Sequence, residues 1–255
     1  TFFTNFDLPL MTKDEIPEAV RYEARQHIPL PLGEVTLDWQ VINNSSKLKI
    51  LLAAVPNEII NQYQEIAKIC ELNLLSLEAE VFGLIKSLIS KEETRTIGLL
   101  DSGAQSTTYN IIGQGALKIS HSFDLAGNEL TEQIAKSLSV DYTQAENLKI
   151  KYGLENGQNI REVILPLIDS ILREMDRISR NYFLAENKEV EKFIIAGGTA
   201  LTPGLKEYFQ AHFQKEVEIA NPFLNIYCPP LLEKTLKQMG PSYAIAVGLA
   251  LRGLE

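Results

Sequence analysis

Short apolar strands, in pairs or threes followed by helices, occur twice along this sequence. The first group is predicted at residues 1–8, 35–41 and 48–55, and the second at residues 96–100, 107–112 and a segment ending near residue 123. Short turns join the strands of the second group, which is typical of an antiparallel meander. Strand groups that alternate with helices predict an α/β protein with two lobes. A cleft between two lobes is a common place for a ligand.

The remaining periodic segments complete this pattern. Further short strands are predicted at residues 74–77, 192–196 and 217–219, and helices at residues 12–27, after 56, near 80, at 128–138, 141–152, about 161–185, from 203, and at 242–252. The apolar residues of the long helix repeat every three or four positions, which indicates a core-facing stripe. These residues are Ile164, Ile168, Ile171, Met175, Ile178 and Tyr182.

Two local details refine the first lobe. Thr12 and Glu15 have the spacing of a capping box, although Pro17 could move the helix start to Ile16. Cys70 falls on the apolar side of the helix that follows residue 56, so a buried thiol is the expectation. The polar connector at residues 91–96 is interpreted as the boundary between a first lobe of residues 1–92 and a second of residues 93–255.

Composition excludes several classes of function. The net charge of -9 disfavours nucleic acid as a partner, because its phosphates would repel such a surface. The two cysteines form no disulfide framework, and the three histidines have no metal-ligand spacing. No segment reaches the roughly 20 apolar residues that a membrane span requires. The sequence opens at Thr1 on a predicted strand, and we therefore expect a fragment or a processed chain.

The strongest local signal is an apolar strand that ends at Asp101. Gly103 allows the backbone to turn sharply there, so that its amides could face a phosphate. An aspartate at this position could hold Mg²⁺ through water, since this ion keeps most of its waters. The tripeptide Asp101-Ser102-Gly103 by itself is more typical of an ordinary hairpin turn.

Glu146 and Lys149 lie three residues apart on one predicted helix and share a face. Asp141, with Gln144 three positions later, is predicted to cap the start of that helix. Such a carboxylate and ammonium could bind a ribose hydroxyl and part of a purine. The alternative is a solvent-exposed ion pair of little energetic consequence.

Two glycine motifs complete the candidate residues. Gly197 and Gly198, followed by Thr199, end a buried strand just before a helix, where side chains would obstruct a flat ligand or a phosphate. A tight strand-to-helix turn would need glycine for backbone reasons alone. Gly127 and Asn128 precede another helix, where free amides could bind an anion, and Asn128 as a plain N-cap is the alternative.

The order of these motifs resembles the second half of the sugar-kinase and actin superfold. Several stretches resemble the PilM family of type IV pilus assembly proteins in particular, from end to end of the chain. They are residues 18–24, 28–31 continuing to Asp38-Trp39, Asn221-Pro222-Phe223, and residues 240–244 continuing through 248–253. The resemblance implies a two-lobed actin-like fold with an extra subdomain of the kind found in FtsA. It places that subdomain at about residues 1–50, a helical subdomain at about 127–190, and a final helix that returns to the first lobe.

The resemblance also implies ATP and Mg²⁺ as ligands and assigns roles to matching residues. Asp101, Ser102 and Gly103 match the second phosphate motif, with Thr107 on its following strand. Gly197, Gly198 and Thr199 match the adenosine motif, and Gly127 with Asn128 the adjoining helix start. Glu146 and Lys149 match the ribose and adenine contacts. Glu80 matches the residue that orients the attacking water in relatives that hydrolyse ATP, and its alternative role is that of a helix-start acid.

This sequence departs from the family pattern at its start. The strand pair that carries the first phosphate motif is missing, so half of the phosphate contacts and the principal acid on the Mg²⁺ side are missing too. Because phosphoryl transfer depends on charge placed around the γ-phosphate, little or no hydrolysis of ATP is expected from this chain. The missing strands would also leave a sheet edge that a partner or self-association must cover.

The expected role is recruitment rather than catalysis. The resemblance implies a cytoplasmic adaptor that couples other inner-membrane proteins of the pilus machine, held at the membrane only indirectly by the N-terminal cytoplasmic peptide of PilN. That peptide would bind in extended form beside the extra subdomain, with Arg21, Arg25 and residues 28–32 as the candidate surface. The alternatives are a phosphotransferase or ATPase of the same superfold, and a filament-forming protein like FtsA.

Overall fold

Eight strands and eight α-helices are present in the residues that the computed structural model describes, which are 1–44, 47–155, 159–224 and 226–254. The chain divides into two compact units, Thr1–Ala79 and Glu80–Glu255. The first unit contains β1 (Phe2–Leu8), α1 (Ile16–His27), β2 (Val35–Asn44), β3 (Leu48–Pro56) and α2 (Asn57–Ile69). The second contains α3 (Glu80–Leu88), β4 (Thr96–Ser102), β5 (Thr107–Gly113), β6 (Ala116–Phe123), α4 (Gly127–Leu138), α5 (Tyr142–Tyr152), α6 (Ile160–Glu186), β7 (Lys192–Ala196), α7 (Leu205–Phe213), β8 (Glu216–Ile219) and α8 (Glu233–Arg252).

The first unit is a three-stranded antiparallel sheet in the order β1-β3-β2, with α1 packed on one face. Alternate residues of the central strand β3 are buried, as the period of two in a strand requires. Apolar residues spaced four apart on α1 cover the same face. The resulting core comprises Phe6, Leu8, Ile16, Val20, Ala24, Ile28, Val35, Leu48, Ile50, Leu52 and Ala54.

Helix α1 begins at Ile16, as the position of Pro17 predicted. Proline is tolerated in the first turn because the N–H that it lacks would have no partner inside the helix. The carboxylate of Glu15 accepts hydrogen bonds from the amide and the hydroxyl of Thr12, at 2.8 and 2.7 Å. The predicted pair is therefore present, one turn before the helix proper.

Two predictions for residues 57–79 are wrong. Residues 74–77 form no strand, because no neighbouring strand pairs with them in the described part of the chain. Cys70 is exposed rather than buried, because Ala67 is the only buried residue of α2 and its apolar face is open to solvent. The exposed apolar residues of this stretch are Ile59, Tyr63, Ile66, Ile69, Leu72, Leu74, Leu75 and Leu77.

The second unit is built on a five-stranded sheet in the order β6-β5-β4-β7-β8. Strands β4, β5 and β6 form the predicted antiparallel meander. Strand β7 pairs parallel to β4, and β8 pairs parallel to β7. The carboxyl ends of β4 and β7 therefore meet at one edge of the sheet, which is where ligands bind in open α/β sheets.

Helices cover both faces of this sheet. The apolar stripe of α6 is buried as predicted and packs with Leu100, Tyr109 and Ile111 on one face. On the other face, α3 and α8 cover a second cluster that includes Leu99 and Ile194. The hydroxyl of Tyr109 forms a hydrogen bond with Ser179 of α6 at 2.9 Å, which satisfies a polar group that the strand buries.

Helix α8 begins at Glu233 and not at Ser242, so its predicted start is wrong by about two turns. The prediction failed because Pro241 lies inside the helix, where it removes one helical hydrogen bond. Gly248 of α8 packs directly on Gly83 of α3, since a Cβ at position 248 would lie only 1.8 Å from the carbonyl oxygen of Gly83. This close crossing joins α3 to α8 within the second compact unit, which begins at Glu80.

None of the helices among the described residues is long and apolar enough to span a membrane.

Candidate functional site

The site is organised around Asp101 at the end of β4. Asp101 is in register with Ala196, the last residue of β7, so Gly197, which follows that strand, lies beside the aspartate. A Cβ on Gly197 would be 2.2 Å from the carbonyl oxygen of Ser102 and 2.8 Å from Oδ1 of Asp101. Gly197 also has a φ of +83°, which side chains disfavour. The two predicted motifs are thus neighbours at one sheet edge rather than opposite walls of a groove.

Residues 101–107, here called the Asp101 loop, are closed by their own hydrogen bonds. The hydroxyls of Ser102 and Thr107 lie 3.0 Å apart, and Thr107 donates to the carbonyl oxygen of Leu125 at 2.7 Å. The amide of Gly103 donates to the carbonyl oxygen of Ser106 at 3.0 Å. Ser102 and Thr107 are therefore buried supports of the loop.

The expectation that Gly127 and Asn128 present free amides is wrong. The amide of Gly127 donates to the carbonyl oxygen of Gly103 at 3.0 Å, and that of Asn128 to the carbonyl oxygen of Ala104 at 2.8 Å. The first turn of α4 is therefore bonded to the Asp101 loop. Asn128 is not the N-cap either, because Ala126 holds that position and its amide donates to the carboxylate of Glu129 at 2.9 Å.

Within the Asp101 loop, the amides of Ala104, Gln105 and Ser106 have no acceptor among the described residues. All three residues are exposed at the tip of the Asp101 loop. Consecutive backbone N–H groups of this kind form a concave site for an anion. The sequence analysis missed these residues because only the folded loop shows which of its amides are already bonded.

Glu146 and Lys149 of α5 reach the start of α4 and are not a solvent-exposed pair. The ammonium of Lys149 lies 2.8 Å from Oε2 of Glu146 and donates to the carbonyl oxygen of Gly127 at 3.0 Å. It also donates to the hydroxyl of Thr131 at 2.8 Å. That hydroxyl lies 2.5 Å from Oε2 of Glu146. The predicted cap of α5 is confirmed, since Asp141 accepts a hydrogen bond from the amide of Gln144 at 2.8 Å.

Thr131 is a site residue that the sequence analysis missed. It is fully buried on α4, one helical turn after Gly127, and contacts both predicted residues of α5. The spacing of four from Gly127 places them on one face of the helix. That spacing alone could not single out Thr131, because threonine at such a position is common.

The turn at Gly197 is also hydrogen-bonded to Gly103 of the Asp101 loop. The hydroxyl of Thr199 donates to the carbonyl oxygen of Gly103 at 3.3 Å. The amide of Gly197 donates to the carbonyl oxygen of Pro241 in α8 at 2.9 Å. Gly198 is open, since the nearest atom to an added Cβ would be Oγ of Ser242 at 3.7 Å. The structure therefore brings the motifs from residues 101, 127, 146 and 197 together.

Asp101 has a perturbed carboxyl group. Burial, and to a smaller extent the negative charge of Glu80 at the start of α3, together raise its pKa to about 6. Burial makes the negative charge of this carboxylate unfavourable, and a bound cation would offset that cost at neutral pH. Among the described residues no three His, Cys, Asp or Glu side chains cluster as metal ligands. A single acid suits Mg²⁺ held largely by water and phosphate.

The first unit carries a separate surface feature. A shallow depression of about 460 Å³ on α1 is lined by Glu18, Ala19, Arg21, Tyr22 and Arg25. It includes both arginines that the sequence analysis named. The ring of Tyr22 is 66% exposed, so the depression combines an apolar surface with two positive charges.

Two solved structures of low sequence identity share the fold. MreB 5 of Spiroplasma citri, solved bound to AMPPNP, has a TM-score of 0.59 and 18% identity, covering 77% of this chain and 64% of that chain. The ethanolamine utilization protein EutJ from Carboxydothermus hydrogenoformans has a TM-score of 0.56 and 20% identity, covering 74% and 58%. The fold is therefore that of an actin-like α/β protein.

The family is shown by a model described as type IV pilus assembly protein PilM, which matches residues 8–254. The chain belongs to this PilM family. The solved PilM-PilN type IV pilus biogenesis complex is similar with a TM-score of 0.87 and 27% identity, covering 100% of this chain and 76% of that chain. The predicted actin-like fold and family are confirmed.

Curated relatives include the cell division protein FtsA. FtsA of Buchnera aphidicola subsp. Acyrthosiphon pisum is 24% identical, over 94% of this chain and 62% of FtsA. FtsA of Staphylococcus epidermidis is 22% identical, over 71% of this chain and 44% of FtsA. The chain thus spans less than two thirds of the length of these relatives.

Proposed function

We propose that this chain is a nucleotide-binding adaptor of the type IV pilus inner-membrane assembly complex, coupled to the cytoplasmic peptide of PilN. The observation that carries the nucleotide half is the convergence on Gly103, whose carbonyl oxygen accepts from Gly127 at 3.0 Å and from Thr199 at 3.3 Å. Motifs that are far apart in the sequence meet at this one point. The membership of the PilM family and the similarity to a PilM-PilN complex support the partner half.

In the proposed site, the amides of Ala104, Gln105 and Ser106 bind phosphate oxygens. Asp101 holds Mg²⁺ through water, as its single partly buried carboxylate suits a hydrated ion. Glu146 accepts a hydrogen bond from a ribose hydroxyl, and the bare backbone of Gly198 lets the purine approach. The similar MreB 5 structure was solved with AMPPNP, a nucleotide of this class.

Little hydrolysis is proposed for this site. Asp101 and Glu80 are its candidate acids, and their mutual repulsion together with burial keeps the pKa of Asp101 near 6. Catalysis of phosphoryl transfer needs cations and donors on both sides of the γ-phosphate. The described residues supply donors from the Asp101 loop only.

The proposed peptide site is the depression on α1. Arg21 and Arg25 lie four residues apart on one helix face, with Tyr22 between them. This combination can bind polar or acidic groups of an extended peptide while the ring covers an apolar side chain. Attachment through such a peptide would place the chain on the cytoplasmic side of the inner membrane.

Calorimetric titration with Mg·ATP tests the nucleotide half. We expect saturable binding by the wild type and at least a tenfold weaker affinity for Asp101→Ala, because a cation-side charge is lost. Asp14→Ala, which alters an exposed aspartate of the first unit, is the matched control and should bind normally. Wild-type protein that binds no nucleotide would contradict the proposal. Rapid phosphate release would instead favour the alternative function, an ATPase of the same superfold.

Titration with the N-terminal peptide of PilN tests the partner half separately. The double variant Arg21→Ala, Arg25→Ala should weaken binding by on the order of tenfold, because each charge-assisted hydrogen bond contributes about 1.5–3 kcal/mol before losses to solvent. Lys68→Ala, which removes an exposed charge on α2, should have no effect. Unchanged binding by the double variant would exclude α1 as the peptide site.

A further inference from the structure

We propose that Lys149 is a positioning residue that fixes the Asp101 loop through the first peptide group of α4, and that Glu146 alone provides the ligand contact of α5. The identity of the ligand rests on the proposed function, whereas the positioning role does not. The sequence resemblance had implied that both residues contact the nucleotide.

The ammonium of Lys149 has no hydrogen left for a ligand. It carries three N–H donors, and three protein acceptors surround it. These are the carbonyl oxygen of Gly127 at 3.0 Å, the hydroxyl of Thr131 at 2.8 Å and Oε2 of Glu146 at 2.8 Å. Lys149 is also only 7% exposed. Contact with a nucleotide would break one of these buried bonds, and leaving a buried acceptor unpaired is costly.

A continuous series of hydrogen bonds leads from Lys149 to the Asp101 loop. The carbonyl of Gly127 and the amide of Asn128 belong to the same peptide group. The carbonyl accepts from Lys149, and the amide donates to the carbonyl oxygen of Ala104 at 2.8 Å. A positive charge at the oxygen end of a peptide polarises it and strengthens the donor at its nitrogen end. Lys149 therefore stabilises the bond that holds Ala104 in place.

Ala104 is the first of the three residues whose amides are unpaired. The position of its carbonyl determines where the following amide of Gln105 points, because the two belong to one planar peptide group. A change at Lys149 should thus disturb the phosphate end of the site. The nucleoside end, formed by Glu146 and Gly198, should be affected less.

Glu146, unlike Lys149, is partly exposed and has an oxygen available for a ligand. Its side chain is 36% exposed, and one oxygen, Oε2, makes both of its protein contacts. Its other oxygen, Oε1, has no protein partner among the described residues. A carboxylate with one anchored and one available oxygen can accept a hydrogen bond from a hydroxyl-bearing ligand without losing its own support.

Hydrogen exchange on the nucleotide-free protein tests the positioning role directly. In Lys149→Met, exchange of the Asn128 amide should rise by on the order of tenfold or more, because a charge-assisted bond in the series is lost. Lys151→Met alters the next lysine of the same helix, an exposed residue, and should leave that amide unchanged. An unchanged Asn128 amide in Lys149→Met would overturn the proposal.

Binding of ATP and of adenosine tests the division of roles. Lys149→Met should weaken ATP by on the order of tenfold and leave adenosine within about twofold. Glu146→Gln should weaken both ligands equally and leave exchange at Asn128 unchanged. Equal loss of ATP and adenosine in Lys149→Met would show a direct contact and overturn the proposal.

The experiments also cover two other cases, a wild type that binds no nucleotide and a Lys149→Met variant that does not fold. If the wild type binds neither ligand, the proposed function fails, and the exchange experiment still decides the role of Lys149. If Lys149→Met does not fold, Lys149→Arg replaces it, because a planar guanidinium cannot reach all three acceptors in the same geometry. Exchange at Asn128 should then rise again, and wild-type protection in Lys149→Arg would contradict the proposal.

Discussion

Asp101 and Gly197 lie side by side at the ends of two parallel strands, so close that any side chain at position 197 would strike the aspartate. The Cβ of such a side chain would be 2.8 Å from Oδ1 of Asp101 and 2.2 Å from the carbonyl oxygen of Ser102. This glycine is therefore required by the geometry of the site and not only by its turn. Its neighbour Gly198 has no such constraint, which separates the structural glycine from the one that a ligand could approach.

Gly197→Ala is expected to destabilise the second unit by about 2–5 kcal/mol. The estimate combines about 1–2 kcal/mol for a left-handed backbone at a non-glycine residue with about 1–3 kcal/mol for overpacking. Gly198→Ala is the matched control and should change the free energy of unfolding by less than about 0.5 kcal/mol. Urea denaturation of the two variants measures the difference, and equal effects would contradict this geometry.

Asp101→Asn should make the protein more stable at neutral pH. Because the pKa of Asp101 is about 6 in the folded protein and 3.8 as its ordinary value, the folded state binds more protons than the unfolded state between about pH 4 and 6. The stability of the wild type relative to the variant therefore falls as pH rises through this window. The difference reaches about 3 kcal/mol at 1.36 kcal/mol per pH unit.

Unfolding free energies measured from pH 4 to 8 on wild type and Asp101→Asn check this linkage. The two curves should diverge up to about pH 6 and then run parallel. Curves that are parallel from pH 4 onward would mean that Asp101 ionises normally in the folded protein.

Glu80→Gln should lower the pKa of Asp101 without returning it to its ordinary value. Burial is the larger cause of the elevation and persists in the variant, whereas the charge of Glu80 is the smaller cause and is removed. Carbon-13 NMR titration of the Asp101 carboxyl group measures the change. Glu132→Gln alters an exposed acid of α4 and should have no effect on that titration.

Thr131→Val should cost about 1–3 kcal/mol of stability. Valine keeps the shape but leaves a buried donor of Lys149 and an acceptor of Glu146 without their partner. Thr108→Val breaks an exposed hydroxyl pair with Ser122 and should cost less than about 1 kcal/mol. Similar losses for both variants would show that the network on α5 has little cooperative strength.

The exposed face of α2 predicts self-association. Ile66→Lys should reduce light scattering at high protein concentration and change the free energy of unfolding by less than about 0.5 kcal/mol, because Ile66 is 55% exposed. Ala67→Lys, which places a charge at the buried position next to it, should instead unfold this helix. Scattering that is unaffected by Ile66→Lys would exclude α2 as the contact.

The sequence by itself was sufficient for most of the elements and for the motifs that meet at the candidate site. The period of three and four in α6 and the alternation of apolar and polar residues at positions 35–41 of β2 predicted both elements correctly. The strand that ends at Asp101 and the strand that ends at Gly197 could be found because each combines an apolar run with a residue type that only a turn or a ligand explains. The resemblance to the PilM family was readable from short stretches for the same reason.

Tertiary structure alone decided which groups are available. The amides of Gly103, Gly127 and Asn128 all appeared free in the sequence, yet that of Gly103 is bonded within its own loop and the other two are bonded to that loop. The ammonium of Lys149 is satisfied by acceptors up to 22 residues away. The apolar face of α2 and residues 74–77 have the pattern of buried elements, but no described part of the chain covers them. Local periodicity records what a segment could bury or bond, whereas hydrogen-bond satisfaction and burial depend on which distant segments the chain brings against it.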